Sequence, residues 1–124
     1  ANCIYPLLGN SVYNWQFLGT DIDKKSLDRA QKIIKKNKLT DVVEFKQQKD
    51  ATHILQGILN EEDKFSAIMC NPPFFRSQEE AMLANARKLE GLGKGNVESR
   101  NFSGKQQELW YKGGEKAFVH TYFY

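Results

Sequence analysis

The chain has 124 residues, 40% of them hydrophobic and 27% charged, with a formal net charge of +3. That length and composition fit one soluble domain with a moderate buried core. Lys, Asp or Gln interrupts every apolar run, which argues against a membrane span or a signal peptide and predicts a soluble, intracellular, cytoplasmic protein.

In chain order, the opening "ANCIYPLLGNSVYNW" contains Pro6 and Gly9 and reads as a short helix followed by a turn. Trp15 to Leu18 is apolar and ends in Gly19-Thr20 and two carboxylates, Asp21 and Asp23, as a short buried strand with acids at its tip does. From Lys24 to Lys38 the residues Leu27, Ala30, Ile33 and Ile34 recur at helical spacing, with Asp23 or Ser26 placed to cap the first turn. Val42 to Phe45 alternates as a strand, and "ATHILQGILN" predicts a second amphipathic helix built on Ile54, Leu55, Ile58 and Leu59. Phe65-Ser66-Ala67-Ile68-Met69-Cys70 reads as another buried strand, stopped by Asn71-Pro72-Pro73. Strands alternating with helices predict an α/β fold with a parallel sheet.

Beyond Arg76 the periodicity dissolves, giving a core over 1–75, a substrate-side loop over 76–112 and the opening of a further helix over 113–124. Within the loop "SQEEAMLANARKL" is compatible with a helix. The loop is expected to be mobile without its substrate, and its aromatics Phe102, Trp110 and Tyr111 suit either stacking on bases or packing on the sheet. No internal repeat is evident.

Cys3 and Cys70 lie far apart and suit neither a disulfide nor a metal site, Cys70 closing its strand as a small hydrophobe would. His53 and His120 lack Cys, Asp or Glu at ligand spacing, so no metal is expected. The charge is uneven: residues 24–49 hold nine Lys or Arg against three acids, a patch that suits a polyanion or a solvated helix face.

The chemistry centres on Asn71 to Phe74. Taken as dipeptides, they are a strand-ending turn. In an open α/β sheet, however, ligands bind beyond the strands' carboxyl ends, and an acid at such a tip is placed for ribose hydroxyls. Asp23 is explained by helix capping and Asp21 less well, which assigns Asp21 to a ribose. The Asn71 side-chain oxygen and the Pro72 carbonyl suit the two hydrogens of a planar exocyclic amine, while Phe74 suits stacking on its ring. An amine of that kind is a poor nucleophile, so positioning against a reactive methyl donor supplies much of the rate.

Asn71-Pro72-Pro73-Phe74 is similar to motif IV of amino-directed methyltransferases that use S-adenosylmethionine. "ANCIYPLLG", "GTDID", "CNPPFF" and "NFSGKQQELWYKGGE" together resemble the RlmF-type family of bacterial 23S ribosomal RNA adenine-N6 methyltransferases. The resemblance extends over nearly the whole chain. It implies a Rossmann-like S-adenosylmethionine-dependent methyltransferase fold acting on 23S ribosomal RNA or a large-subunit assembly intermediate. By the same resemblance Asp21, Ile22 and Asn71 bind the cofactor, Asn71, Pro72, Pro73 and Phe74 form the catalytic motif, and Phe74, Phe75 and Arg76 meet the substrate. Guanine N2, a protein glutamine amide and a non-catalytic RNA-binding role are the alternatives.

Family members carry a strand and an Asp-x-Gly-x-Gly turn ahead of the segment matching Ala1-Asn2-Cys3, and further strands beyond "GGEKAFV". Both are absent here, so the fold is expected to be incomplete and the chain to be a piece of a larger protein or to have the gap filled by another segment. In the Rossmann-like order the first strand lies between the second and fourth. The strands ending near residues 20 and 70 are therefore expected to stand about 9 to 10 Å apart and unpaired.

Overall fold

Cys3 opens the first element in a left-handed conformation (φ 58°) as the N-cap of α1 (Ile4–Tyr13) in the computed structural model, which describes residues 3–91 and 109–123. Pro6 falls in the first helical turn, where its missing N–H costs no intrahelical bond. Asn14 ends the helix with φ 56°, its N–H donating to the Asn10 carbonyl at 2.9 Å, the left-handed termination that Asn tolerates after Gly. Gly9 is the buried residue of α1 because a Cβ there would overlap the Phe17 ring.

Phe17 begins β1 (Phe17–Asp21), which pairs in parallel with β2 (Val43–Gln47) from Phe17 opposite Val43 to Asp21 opposite Gln47. The strand begins two residues after Trp15 and ends at Asp21, next to the expected end near residue 20. Gly19 leaves room for the Phe45 ring: a Cβ on it would sit 2.7 Å from that ring, so the ring of its cross-strand partner occupies the vacant space. Among the described residues the sheet has these two strands.

The crossover is α2 (Lys24–Lys36). Asp23 caps it as expected, accepting from the Lys25 N–H at 3.2 Å, the Ser26 N–H at 3.1 Å and the Ser26 hydroxyl at 2.7 Å. One face of α2 buries Ser26, Ala30 and Ile34, and the core cluster of Cys3, Ala30, Ile34 and Val43 is lined by Leu7, Phe17, Ile33, Leu39, Val42 and Phe45. Cys3 thus serves as a small core hydrophobe, and burial pushes its thiol pKa up. Ile34 is fully buried, so Ile34→Ala is expected to lower unfolding free energy by about 2 to 5 kcal/mol. A urea titration of the full-length protein measures it, and a loss under about 1 kcal/mol would place the core elsewhere.

Two expected elements take other forms. Residues 51–60 do not form the amphipathic helix but a series of turns. Gly57 has φ 77°, and the Gln48 amide donates to the Ile54 and Gln56 carbonyls at 3.2 and 2.9 Å, taking acceptors that a helix would spend on its own backbone. Asp50 shapes the entry to the turns by accepting from the Thr52 hydroxyl and N–H and pairing with His53. Those bonds, the hydroxyl's first, hold its carboxyl below the usual range.

Residues 65–70 form no strand either. The ladder partner that the Rossmann-like order calls for is not among the described residues, and without a ladder or a covering layer the run stays exposed: Phe65, Ile68 and Met69 are 46, 53 and 51% accessible. Cys70, expected to be buried, is likewise exposed. Because residues 65–70 form no strand, the expected spacing between strands ending near residues 20 and 70 has no counterpart in the sheet.

The chain divides into two units, Ala1–Lys64 and Phe65–Tyr124. In the second, part of the expected loop is α3 (Gln78–Gly91), and α4 (Gly114–Phe123) is the expected final helix. The remaining loop expectation, including its mobility and the stacking of Phe102, falls on 92–108 and lies outside the described residues. No helix among the described residues is long and apolar enough to cross a membrane.

Candidate functional site

In the first unit, Asp21 ends β1 at its carboxyl end. Its Oδ1 accepts the Asp23 N–H at 2.9 Å, and its backbone carbonyl accepts the Gln48 N–H at 2.9 Å, so the acid is fixed by the strand and by the start of α2. The second carboxylate oxygen, Oδ2, has no hydrogen-bond partner among the described residues. Ile22 follows with an exposed side chain, and its carbonyl accepts from the Gln47 amide at 3.1 Å. An acid half-used by the fold, beside an exposed aliphatic side chain, offers an acceptor for vicinal hydroxyls and a surface for a flat ring.

In the second unit the tetrapeptide has outward ends and an inward middle. Asn71 is exposed, Pro72 half-buried, Pro73 buried and Phe74 exposed at 60%. The rigid proline pair therefore anchors the turn through Pro73 and presents an amide and an aromatic ring to solvent. Asn71 is free to use its oxygen as an acceptor, and the Pro72 carbonyl belongs to the same turn.

The far side of the turn is pinned by a backbone bridge that leaves no local trace in the sequence and by a capping box that does. The Phe75 N–H donates to the Leu109 carbonyl, and the Tyr111 N–H to the Phe75 carbonyl, each at 3.0 Å, forming an isolated parallel bridge between Phe75 and Trp110. The Arg76 N–H donates to Glu80 Oε2 at 2.8 Å, while the Glu80 N–H donates to Ser77 Oγ at 3.2 Å. That exchange is a variant of the capping box at the start of α3, and Ser77-x-x-Glu80 is its visible signal. Gly114, with φ 74°, lets α4 begin where a Cβ would sit 2.9 Å from Arg76 Cγ.

Of the two roles expected for Tyr111, stacking on bases or packing on the sheet, the structure shows packing, on α4 and not on the sheet. Tyr111 packs edge-on against Phe118, with ring centroids 5.3 Å apart, and its hydroxyl bonds to Thr121 Oγ1. Trp110 is half-buried, and its buried indole N–H meets no acceptor among the described residues. Pro72 also lines an open apolar groove of about 240 Å³ with Ile68, Cys70, Phe118, Val119 and Tyr122. Although Cys70 stays solvent-accessible, partial desolvation by the groove pushes its thiol pKa up, and desolvation together with the neighbouring Cys70 raises that of the Tyr122 phenol. Among the described residues no three His, Cys, Asp or Glu side chains cluster as a metal site would require.

A parallel βαβ unit with an acid at the carboxyl end of its first strand, together with an exposed Asn and Phe on a proline turn, defines the class: an α/β protein of Rossmann-like design. Known proteins narrow it. The sequence profile of a family described as RNA methyltransferase matches residues 1–123, and the chain belongs to that family. It is 46% identical over 123 residues to the ribosomal RNA large subunit methyltransferase F of Pseudomonas entomophila, covering 96% of this chain and 39% of that protein. Its identity to the protein of the same name from Pseudomonas fluorescens is 45% over 123 residues, with 96% and 36% coverage. The chain thus spans well under half the length of these curated relatives. The fold is similar to that of the hMettl16 catalytic domain crystallised with the MAT2A 3′UTR hairpin 6. That match has a TM-score of 0.65 and 29% identity, over 98% of this chain and 40% of that one. A second solved structure, the delta-N METTL16 MTase domain, matches with a TM-score of 0.56 and 33% identity over 75% of this chain and 41% of its own.

Proposed function

We propose that the protein transfers a methyl group from S-adenosylmethionine to the exocyclic N6 amine of an adenine in 23S ribosomal RNA, acting in the cytoplasm on the free RNA or on a large-subunit assembly intermediate without a metal. The observation that carries the reading is the outward pairing of Asn71 and Phe74 on a turn whose Pro73 is buried and whose Phe75 is tied on both backbone groups. The names of the Pseudomonas relatives support the RNA and the subunit.

Asp21 and Ile22 fit the nucleoside part of the cofactor. The free Oδ2 accepts from ribose hydroxyls, which places an acid's second acceptor where the fold leaves it open, and the exposed Ile22 side chain covers the adenine face. When bound, S-adenosylmethionine supplies an electrophilic methyl group on a sulfonium. The chain's own task is to present the amine. Asn71 Oδ1 and the Pro72 carbonyl each accept one amine hydrogen, which draws the nitrogen lone pair out of conjugation with the ring. Phe74 holds the base by stacking after it has left its helix or from a single-stranded loop, at a gain of about 1 to 3 kcal/mol. The methylated nitrogen would release its extra proton to water, so that positioning supplies the rate and no dedicated base is required.

The test is incubation of the full-length protein with S-adenosylmethionine carrying a tritiated methyl group and with large-subunit ribosomal RNA, naked or as a particle. Label in the RNA is the expected result. Label in a protein glutamine amide, or in no acceptor despite cofactor binding, would overturn the reading.

A further inference from the structure

The exposed face of α2 carries a feature that methyl transfer leaves unexplained. Lys25, Arg29, Lys32 and Lys36 are all exposed, and at 3.6 residues per turn they fall within about 60° of arc along about 16 Å of helix. The opposite face is the one that buries Ser26, Ala30 and Ile34. Solvation alone accounts poorly for this stripe. The first turn of α2 contains Lys24 and Lys25 and no acid, although the helix dipole favours acids there. Lys25 with Arg29 and Lys32 with Lys36 are like-charge pairs four residues apart, an arrangement that destabilises a helix. Lys24 pairs with Asp28 at 3.5 Å, while none of the four stripe residues has an ion-pair partner among the described residues. Only Lys36, in the last turn, sits where the dipole welcomes a cation.

We propose that Lys25, Arg29, Lys32 and Lys36 form a phosphate-gripping surface for the RNA backbone. The inference rests on the proposed function for its choice of RNA as the polyanion. It adds a contact surface on α2 to the reading of Asn71–Phe74. A row of cations on a helix suits an RNA duplex or hairpin stem, because the A-form major groove is too deep and narrow for side chains to read and leaves the phosphates as the accessible partners. The contact is therefore independent of sequence and sensitive to salt. A membrane surface fits less well, since the apolar face of α2 that would have to enter lipid is already buried in the core.

The test uses the full-length protein and a hairpin RNA from the large subunit, with affinity measured by fluorescence anisotropy across a range of salt concentrations. In K25Q/R29Q/K32Q/K36Q the slope of log affinity against log salt is expected to become shallower by about 3, at about 0.7 to 0.9 for each phosphate no longer neutralised. Affinity at low salt should fall at least about tenfold. Glutamine preserves helix propensity, and unchanged S-adenosylmethionine binding by calorimetry confirms that the variant is folded. Should the quadruple variant unfold, K25Q/R29Q and K32Q/K36Q are each expected to show about half of the decrease in slope.

A control lacking Lys38, Lys49 and Lys64, exposed cations off the stripe, should show a smaller decrease per charge removed. An unchanged slope in the stripe variant, or an equal decrease per charge in the control, would overturn the proposal, as would stripe-dependent binding to anionic vesicles but not to RNA. The two readings fail separately. Methyl transfer with an unaltered slope removes the stripe alone, and a stripe-dependent slope without methyl transfer removes the methyltransferase reading alone.

Discussion

Asn71→Ala is expected to slow single-turnover methyl transfer to RNA by about 10²- to 10³-fold, the usual cost of losing one preorganised hydrogen-bonding group at a reacting centre. The side chain is exposed, so the truncation removes an acceptor without opening a cavity, and stability should change little. Asn71→Asp keeps an acceptor at the same reach and is expected to retain more activity than Asn71→Ala. This order of the two variants is what distinguishes an acceptor role from a packing role. Equal rates in wild type and Asn71→Ala would remove the tetrapeptide from the chemistry and leave the turn with a structural role alone.

The second large effect concerns the cofactor. Asp21→Ala is expected to weaken S-adenosylmethionine binding by about 10- to 100-fold, the range for removing hydrogen bonds to an ionised acceptor. The carboxylate has two functions that the test must separate, because Oδ1 holds the Asp23 N–H while Oδ2 is open. Asp21→Asn retains an acceptor for Asp23 but replaces the charged second oxygen or turns a donor outward. It should preserve stability while still losing most of the cofactor affinity. Calorimetric titration of the full-length protein measures the affinity and thermal unfolding the stability. If both variants bind the cofactor as wild type does, Asp21 is a structural acid that shapes the start of α2.

The first unit is largely legible in the sequence because its signals are local and mutually consistent. Ala30 and Ile34 sit at helical spacing, Asp23 caps the helix they belong to, and Val43 opens the strand that covers them. Two signals mislead. The apolar residues of 54–59 match a helix, but Gly57 at φ 77° and the Gln48 side chain, which collects two of that segment's carbonyls, are features that hydrophobic periodicity does not encode. The run to Cys70 reads as a strand, but a strand is a pairing and not a property of one segment, so its apolar residues stay exposed without a ladder partner among the described residues.

At the candidate site the residue types are legible and their supports are not. Asn71 and Phe74 are visible as chemistry next to two prolines. The bridge from Phe75 to Trp110 spans a long stretch of chain and leaves no local trace, which is why the sequence leaves Trp110 and Tyr111 open between stacking on bases and packing. The Ser77-x-x-Glu80 box is readable in the sequence, and the structure shows its side chain reaching one residue further back, to Arg76.

The most direct test of N6-directed methyl transfer is nucleoside analysis by mass spectrometry of large-subunit ribosomal RNA methylated by the full-length protein. The predicted new nucleoside is N6-methyladenosine, formed with wild type and absent with Asn71→Ala. N2-methylguanosine, or N6-methyladenosine that persists with Asn71→Ala, would contradict it.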